Sequence, residues 1–276
     1  MVCGKKKVHS NWNVIMRYIR IYKALLVANM AHVMAYKKHF VSQIISSLGW
    51  GLFSIMTILL LTSHVTTVFG WTRNELIFLT VMVNVIYGTY RALFDTSFWS
   101  FSQVIHSGQL DSVLLKPVDS QFQMSAWHID FSGVIRMFIS IGLAIYLVHL
   151  FNFQVTILSL FVFLILSITS IILLYSITFS VLTIIIWFSK LHNLYDLINT
   201  GMTTSKYPKE MYAGLNGFLF FILLPMIIII STPTKALLQK GNIWDSALLI
   251  AFAIICFTFS RFFWKFALRF YTSASG

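Results

Sequence analysis

Residues 107–121 read SGQLDSVLLKPVDSQ. No other run of this length between two apolar segments is as polar. Ser107-Gly108 signals a turn and Lys116-Pro117 a stop. Between them Ile105, Leu110, Val113, Leu114 and Val118 share one face of a short helix, flanked by Gln109, Asp111, Ser112 and Lys116. In a chain this apolar, such an insert is either a connector packed on its own bundle or a helix that docks on something outside the bilayer. These residues alone leave both readings open.

The chain has 276 residues, 58% hydrophobic, 16% aromatic and 10% charged. Soluble domains carry roughly a quarter charged residues. Here the apolar residues come in blocks, which predicts one all-α integral membrane domain. The net charge of +12 fits positive cytoplasmic loops better than nucleic-acid binding, because no basic run is interleaved with stacking aromatics. Cys3 and Cys256 fall in different parts of the chain, with no metal-ligand neighbours and no expected disulfide. The basic N-terminus lacks a prompt apolar core and a small-residue cleavage site, so no cleaved signal peptide is expected.

Residues 1–40 hold eight cations and no acid. Trp12, Ile15, Ile19, Tyr22 and Leu26 recur at helical steps, with Arg17, Arg20 and Lys23 elsewhere. This predicts an amphipathic helix lying on the cytoplasmic interface among lipid head groups. Residues 41–276 form the membrane domain. Six spans are expected: 41–61, 74–94, 127–151, 155–189, 213–230 and 243–263. The fifth is short and broken by Pro225, with the option of a kinked or partly re-entrant path. Residues 62–73 and 231–242 are read as outer links, 152–154 as a minimal one, and 95–126 and 190–212 as cytoplasmic connectors. With the N-terminus inside, sixteen cations fall on the inner side and three on the outer, which predicts an N-in, C-in topology. Trp71, Trp127, Trp187, Trp244 and Trp264 sit near span ends, as an aromatic belt would.

The chemistry is sparse. The one Gly-Lys pair, Gly4-Lys5, has too few residues before it for a phosphate-cradling loop. No metalloprotease, dithiol or nucleophile-elbow pattern occurs. His128 and Asp130 would serve a membrane-bound transferase, or Asp130 simply marks the mouth of a span, satisfied by Arg136 or a neighbouring helix. Arg136, inside a span, is a candidate for lining a polar path. Thr169, Ser176, Ser180 and Thr183 share a face of the fourth span. They either let helices pack closely or line a substrate path.

Taken together, three stretches make the chain recognisable. SGQLDSVLLKPVDSQF (107–122) resembles the signature SGELDxLLLxPVxxxF of six-span permeases of bacterial ABC transporters, in the type-2 ABC exporter superfamily. SKYPKEMYAGLNGFLFFILLPMIIIISTPTKALL (205–238) is similar to that family's later block. FFWKFALRFYTSASG (262–276) is similar to its closing motif, with Ala267 where the family often has Gly. The three occur in order across nearly the whole chain.

The resemblance implies a permease that borrows its ATPase. No cofactor is expected on this chain, and ATP and Mg would sit on two separate ABC ATPase subunits. A second permease, identical or a sister chain, would complete the assembly in the bacterial cytoplasmic membrane. The resemblance makes residues 105–121 the coupling helix, with Gly108, Leu110, Asp111, Leu114, Leu115, Lys116 and Pro117 receiving force from the ATPase. The expected cargo is apolar or amphipathic: a drug, a peptide or a lipid. An ATP-independent channel or lipid scramblase is the competing class, since six spans and a hydroxyl face fit it as well.

Overall fold

The computed structural model describes residues 4–63, 67–188, 194–202, 207–212 and 217–271. Helix α1 (Gly4–Ala35) runs into α2 (Lys37–Leu61) with a break at Tyr36. Along α1 the half-buried positions are Tyr18, Tyr22, Leu25, Leu26, Asn29 and Val33, among others. Tyr22 and Leu26 belong to the expected face, but Ile19 is exposed. The side chains of Trp12 and Ile15 lie outside the described residues. The seam is rotated because α1 rests on protein as well as on the interface. Tyr18 meets Phe122 edge-on with centroids 5.1 Å apart, and Asn29 donates to the Trp127 carbonyl at 3.1 Å.

The expected plain link at 62–73 contains a hairpin. Strands β1 (Thr67–Val68) and β2 (Trp71–Thr72) pair antiparallel around Phe69 and Gly70. Both have positive φ, 52° and 80°, the signature of a tight I′-type turn that matches strand twist. Thr72 and Glu75 then form a reciprocal capping box, which starts α3 (Arg73–Tyr90). Trp71 is buried beneath this hairpin and Trp264 is buried among Phe101 and Phe179. These two tryptophans are packing residues, not belt residues.

The second span does not stop at Phe94. Helix α3 passes through a wide π turn (Arg91–Asp95) into α4 (Thr96–His106), giving one apolar helix of 34 residues, Arg73–His106. The polar letters after Asp95 suggested a connector, yet Phe98, Phe101 and Ile105 are buried. Ser97 Oγ accepts from the His128 N–H at 2.9 Å and donates to its carbonyl at 3.1 Å. These hydroxyls meet protein, not water. The π turn has a visible cause. The Ala92 carbonyl accepts from the Asp130 N–H at 3.1 Å, and a Cβ on Gly133 would lie 2.7 Å from the Ala92 nitrogen. Only glycine lets the next helix come this close.

The chain continues through α5 (Leu110–Leu114), α6 (Ser120–Ala126), α7 (Phe131–Leu150) and α8 (Ile157–Thr183), which tightens into a 3-10 turn at Ile184–Ile186. Then come α9 (Leu194–Met202), a 3-10 turn at Lys209–Tyr212, α10 (Gly217–Leu237) and α11 (Ile243–Ala267). Among the described residues five helices are long and apolar enough to cross a membrane: Lys37–Leu61, Arg73–His106, Phe131–Leu150, Ile157–Ile186 and Ile243–Ala267. The block expected as a further span, 213–230, falls in α10, where Leu224–Leu237 forms a shorter apolar helix. Two prolines, Pro225 and Pro233, lie inside α10. Pro233 has no N–H for the carbonyl four residues back. That carbonyl, on Ile229, accepts from Ser170 Oγ of α8 at 2.6 Å instead.

Helix α8 is central, packed against α11, α10 and α3, while α3 packs against α7. An aromatic file fills the middle. Phe94 and Phe98 stack at 5.9 Å, Tyr175 and Phe179 at 5.7 Å, and Phe179 meets Trp264 edge-on at 5.2 Å. Aromatic pairs of this kind favour offset and edge-to-face contact.

One expected connector is corrected. Residues 190–212 were read as lying at the same end as 95–126. Instead Lys209 pairs with Asp245 at the start of α11, and Glu210 pairs with Lys235 and accepts from Trp71 Nε1 at 3.1 Å. Lys240 and Glu75 meet nearby at 2.6 Å. Residues 209–210 therefore lie at the hairpin end, away from α5. Lys209 joins the outer cations, and each of these three lysines has an acid beside it. Lys190 and Lys206 lie outside the described residues.

Candidate functional site

Two regions carry the polar chemistry. The first is the end built from α1, α5, α6 and the last turns of α11. Gly108, with φ +71°, closes α4 and turns the chain into α5, a conformation that glycine adopts without strain. The expected apolar face of α5 divides in two. Leu110 and Val113 are fully buried, 0% and 1% exposed, and Ile105 joins them. Leu114 is 39% exposed and Leu115, at the tip, 86%. Asp111 is half-buried, and Lys116 and Pro117 are exposed. The Lys116 ammonium lies 4.4 Å from the centroid of Trp127, a cation–π contact. The Pro117 carbonyl accepts from Arg17 of α1.

Just beyond Pro117, Asp119 joins three elements. Its backbone N–H donates to Tyr18 of α1 at 3.2 Å. Its carboxylate caps α6 through the Phe122 N–H at 3.0 Å and takes a two-pronged contact from Arg261 of α11, at 2.8 Å on Oδ1. The Arg261 guanidinium, opposing the effect of partial burial, holds this carboxyl below the usual carboxylate range. Trp264 Nε1 adds a bond to Ser120 Oγ at 3.0 Å. Sequence reasoning missed this junction. Its signal was a cation, Arg261, close behind the apolar run of the last span, but its partner is 142 residues away.

The second region is a two-lobed polar cavity inside the bundle. The larger lobe, about 710 Å³, lies between the α1–α2 junction, the π turn, residues 128–131 and α9. His32, His39, His128, Asp130 and Asp196 line it. Asp130 is not satisfied by Arg136: its Oδ1 accepts from the Ser132 N–H at 2.8 Å and from Ser132 Oγ at 2.6 Å, capping α7. His128 Nδ1 lies 3.4 Å from Asn29 Oδ1, and burial lowers its pKa, with His32 adding to the effect. The smaller lobe, about 290 Å³, shares Arg91, Asp95 and Asn199 with the first and adds Trp50, Asn84, Tyr87 and Arg136. Arg91 Nε bonds Asp95 at 3.0 Å, and Tyr195 donates to the same carboxylate. Arg136 bonds the amide oxygen of Asn84, from Nε at 3.1 Å and also from Nη2. A third cavity of about 530 Å³, lined by Tyr22, Phe94, Phe122, Ile171 and Phe257, is apolar and reaches Asp119 and Arg261.

The hydroxyls expected to form one face of α8 are spent on their own helix. Thr169 donates to the Ile165 carbonyl at 2.9 Å, Ser176 to Ile172 at 2.6 Å, Ser180 to Ser176 at 2.7 Å and Thr183 to Phe179 at 2.7 Å. None of the four lines the three cavities above. The hydroxyls of α8 that reach other helices are different ones: Ser170, and Thr178, which accepts from Tyr90 at 3.0 Å. Arg136 is the one residue of the expected path set that reaches a cavity described here.

Among curated proteins and among solved structures, nothing matches this chain. The family described as ABC-2 family transporter protein matches residues 48–275, most of its length and all of the membrane region after the first turns of α2. The chain is a multi-pass membrane protein that belongs to this family of ABC transporter membrane components.

Proposed function

We propose that the chain is the permease subunit of an ATP-driven exporter in the bacterial cytoplasmic membrane. Two such permeases, identical or a sister pair, work with two ABC ATPase subunits that hold ATP and Mg. The observation that carries this reading is the form of α5. Its inner side is locked by Leu110 and Val113, and its outer tip, Leu114 and Leu115, projects two large apolar side chains. A short helix anchored on one side and apolar on the other suits the groove of a soluble partner.

Asp119 supplies a route for force. Displacing the tip pulls on α6, and through Tyr18 and Arg261 on α1 and α11 together. The polar cavity lies along α3–α4, α7 and α9, where such a displacement would open or close it. The cargo would be amphipathic, carried between the cavity and the exposed apolar surface of α2, which buries only Ser47 and Ile58. That surface also suits a second permease copy.

The test is co-purification. The wild-type chain is expected to bring an ABC ATPase with it, and the double variant Leu114→Asp/Leu115→Asp to lose it while keeping its thermal unfolding midpoint. An ATPase retained by the double variant refutes the docking role. Transport by the purified chain with no ATPase present favours the channel or scramblase class.

A further inference from the structure

The smaller lobe of the cavity contains an imbalance of charge. Its ionisable side chains other than tyrosine are Arg91, Asp95 and Arg136. Asp95 is committed to Arg91 and to the Tyr195 hydroxyl. Arg136 has only an amide. Asn84 is itself oriented, because its Nδ2 donates to the Thr80 carbonyl at 2.8 Å and lies 3.4 Å from Ser54 Oγ. This leaves Oδ1 facing the guanidinium. Among the described residues no carboxylate forms an ion pair with Arg136. A cation at membrane depth without a counter-charge is costly, and such residues mark sites where charge is received.

The space beside Arg136 is kept open. A Cβ on Gly51 of α2 would lie 3.5 Å from Asn84 Oδ1 and 4.0 Å from Arg136 Nε. Any larger side chain there would enter the space in front of the guanidinium. Trp50, Tyr87 and Tyr90 line the same lobe, and Trp50 is largely exposed on the α2 surface. The lobe therefore has a polar floor with a free positive charge and aromatic walls leading to the apolar face of α2. At 290 Å³ it holds a carboxylate, sulfate or phosphate and the first methylenes of an alkyl stem, since a water molecule takes about 30 Å³.

We propose that this lobe binds the anionic head group of an amphipathic molecule, with Arg136 as the counter-charge and its alkyl stem passing Trp50 toward α2. The guanidinium matches a two-oxygen anion in geometry as well as charge. The proposal deepens the permease reading by giving its cargo a charge, but the binding itself does not depend on an ATPase.

The experiment uses the full chain in phosphatidylcholine nanodiscs without ATPase. The probes are a bromoalkyl carboxylate and a bromoalkyl trimethylammonium of equal chain length, read by quenching of tryptophan fluorescence. Trp50→Phe identifies the local signal. The carboxylate is expected to bind about tenfold tighter than the ammonium. Arg136→Gln is expected to remove that preference, a loss of about tenfold for the carboxylate and none for the ammonium. Gly51→Asp keeps Arg136 and supplies an internal carboxylate, so it gives the same loss even where Arg136→Gln fails to fold. Equal binding of both probes by the wild type overturns the proposal, as does undiminished carboxylate binding in Gly51→Asp. Repeating the titration with phosphatidylglycerol in the disc separates the sources. Competition identifies a bilayer lipid head group as the occupant, and no competition a separate amphipath; both keep the site. Loss of ATPase docking in the α5 tip variants with intact binding here would sink the exporter reading alone.

Discussion

Replacing Ser170 with Ala tests how α10 tolerates proline inside an apolar helix. Ser170 Oγ bonds the Ile229 carbonyl at 2.6 Å, and both residues are fully buried. The carbonyl is free because Pro233, four residues on, has no N–H to give it. Interhelical hydrogen bonds in membranes average only about 0.6 kcal/mol, with a maximum near 1.7. Stranding a buried acceptor costs more than losing an average bond, about 1–3 kcal/mol. Ser170→Ala should therefore cost about 1.5 kcal/mol, near the upper end of the membrane range. The assay is unfolding in mixed micelles by titration with sodium dodecyl sulfate, followed by circular dichroism. The decisive step is a double-mutant cycle with Pro233→Ala. Alanine at 233 restores an N–H to the Ile229 carbonyl, so Ser170→Ala in that background should cost less than about 0.5 kcal/mol. Equal costs in both backgrounds would refute the claim that Ser170 replaces the bond that Pro233 removes.

Other outcomes follow from the same geometry. Gly133→Ala would place a methyl 2.7 Å from the Ala92 nitrogen, against backbone that cannot rotate away. The expected loss is at the top of the overpacking range, about 3 kcal/mol, measured in the same titration. Leu110→Asp and Leu115→Asp are expected to part company: the first unfolds the α4–α6 corner, while the second leaves the melting midpoint within about 0.5 kcal/mol equivalent and loses only the ATPase. The depressed pKa of Asp119 makes its contribution fully present above the ordinary carboxylate pKa of about 3.9. That contribution is lost as pH falls below this value and through the folded one. Unfolding midpoints measured from about pH 5 down to pH 2 should fall for the wild type and flatten for Asp119→Asn.

Much of the architecture was legible because lipid imposes length and apolarity on a helix. The blocks at 41–61 and 127–151 and the long fourth helix could be read from composition alone. The continuation of α3 into α4 could not, because Asp95, Thr96, Ser97 and Ser100 look like the start of a loop. Their partners, Arg91, Tyr195 and His128, are supplied by the fold. The same holds for α6, where Gln121 and Ser125 are buried because the Tyr175 hydroxyl on α8 receives them. In α5, helical spacing grouped Leu114 with Leu110 and Val113. Spacing alone does not say where the bundle ends, and the boundary falls between Val113 and Leu114. The Asp119–Arg261 junction and the placement of Lys209 beside Asp245 required three-dimensional neighbours, since each residue taken singly is an ordinary surface charge.

The wide turn at Arg91–Asp95 also sets an angle. An α-helix advances about 100° per residue, and a π turn accommodates one residue more than the regular ladder would. The two stretches it joins are thus out of phase by about that angle. Phe98 and Phe101 point into the aromatic file and α5 meets its support only with this offset in place. Removing one residue, such as Leu93, would let the backbone relax to a regular helix. It would also turn everything from Thr96 to the Leu115 tip about 100° around the axis, so the turn works as a fixed gear offset between the buried half of the helix and the end that projects.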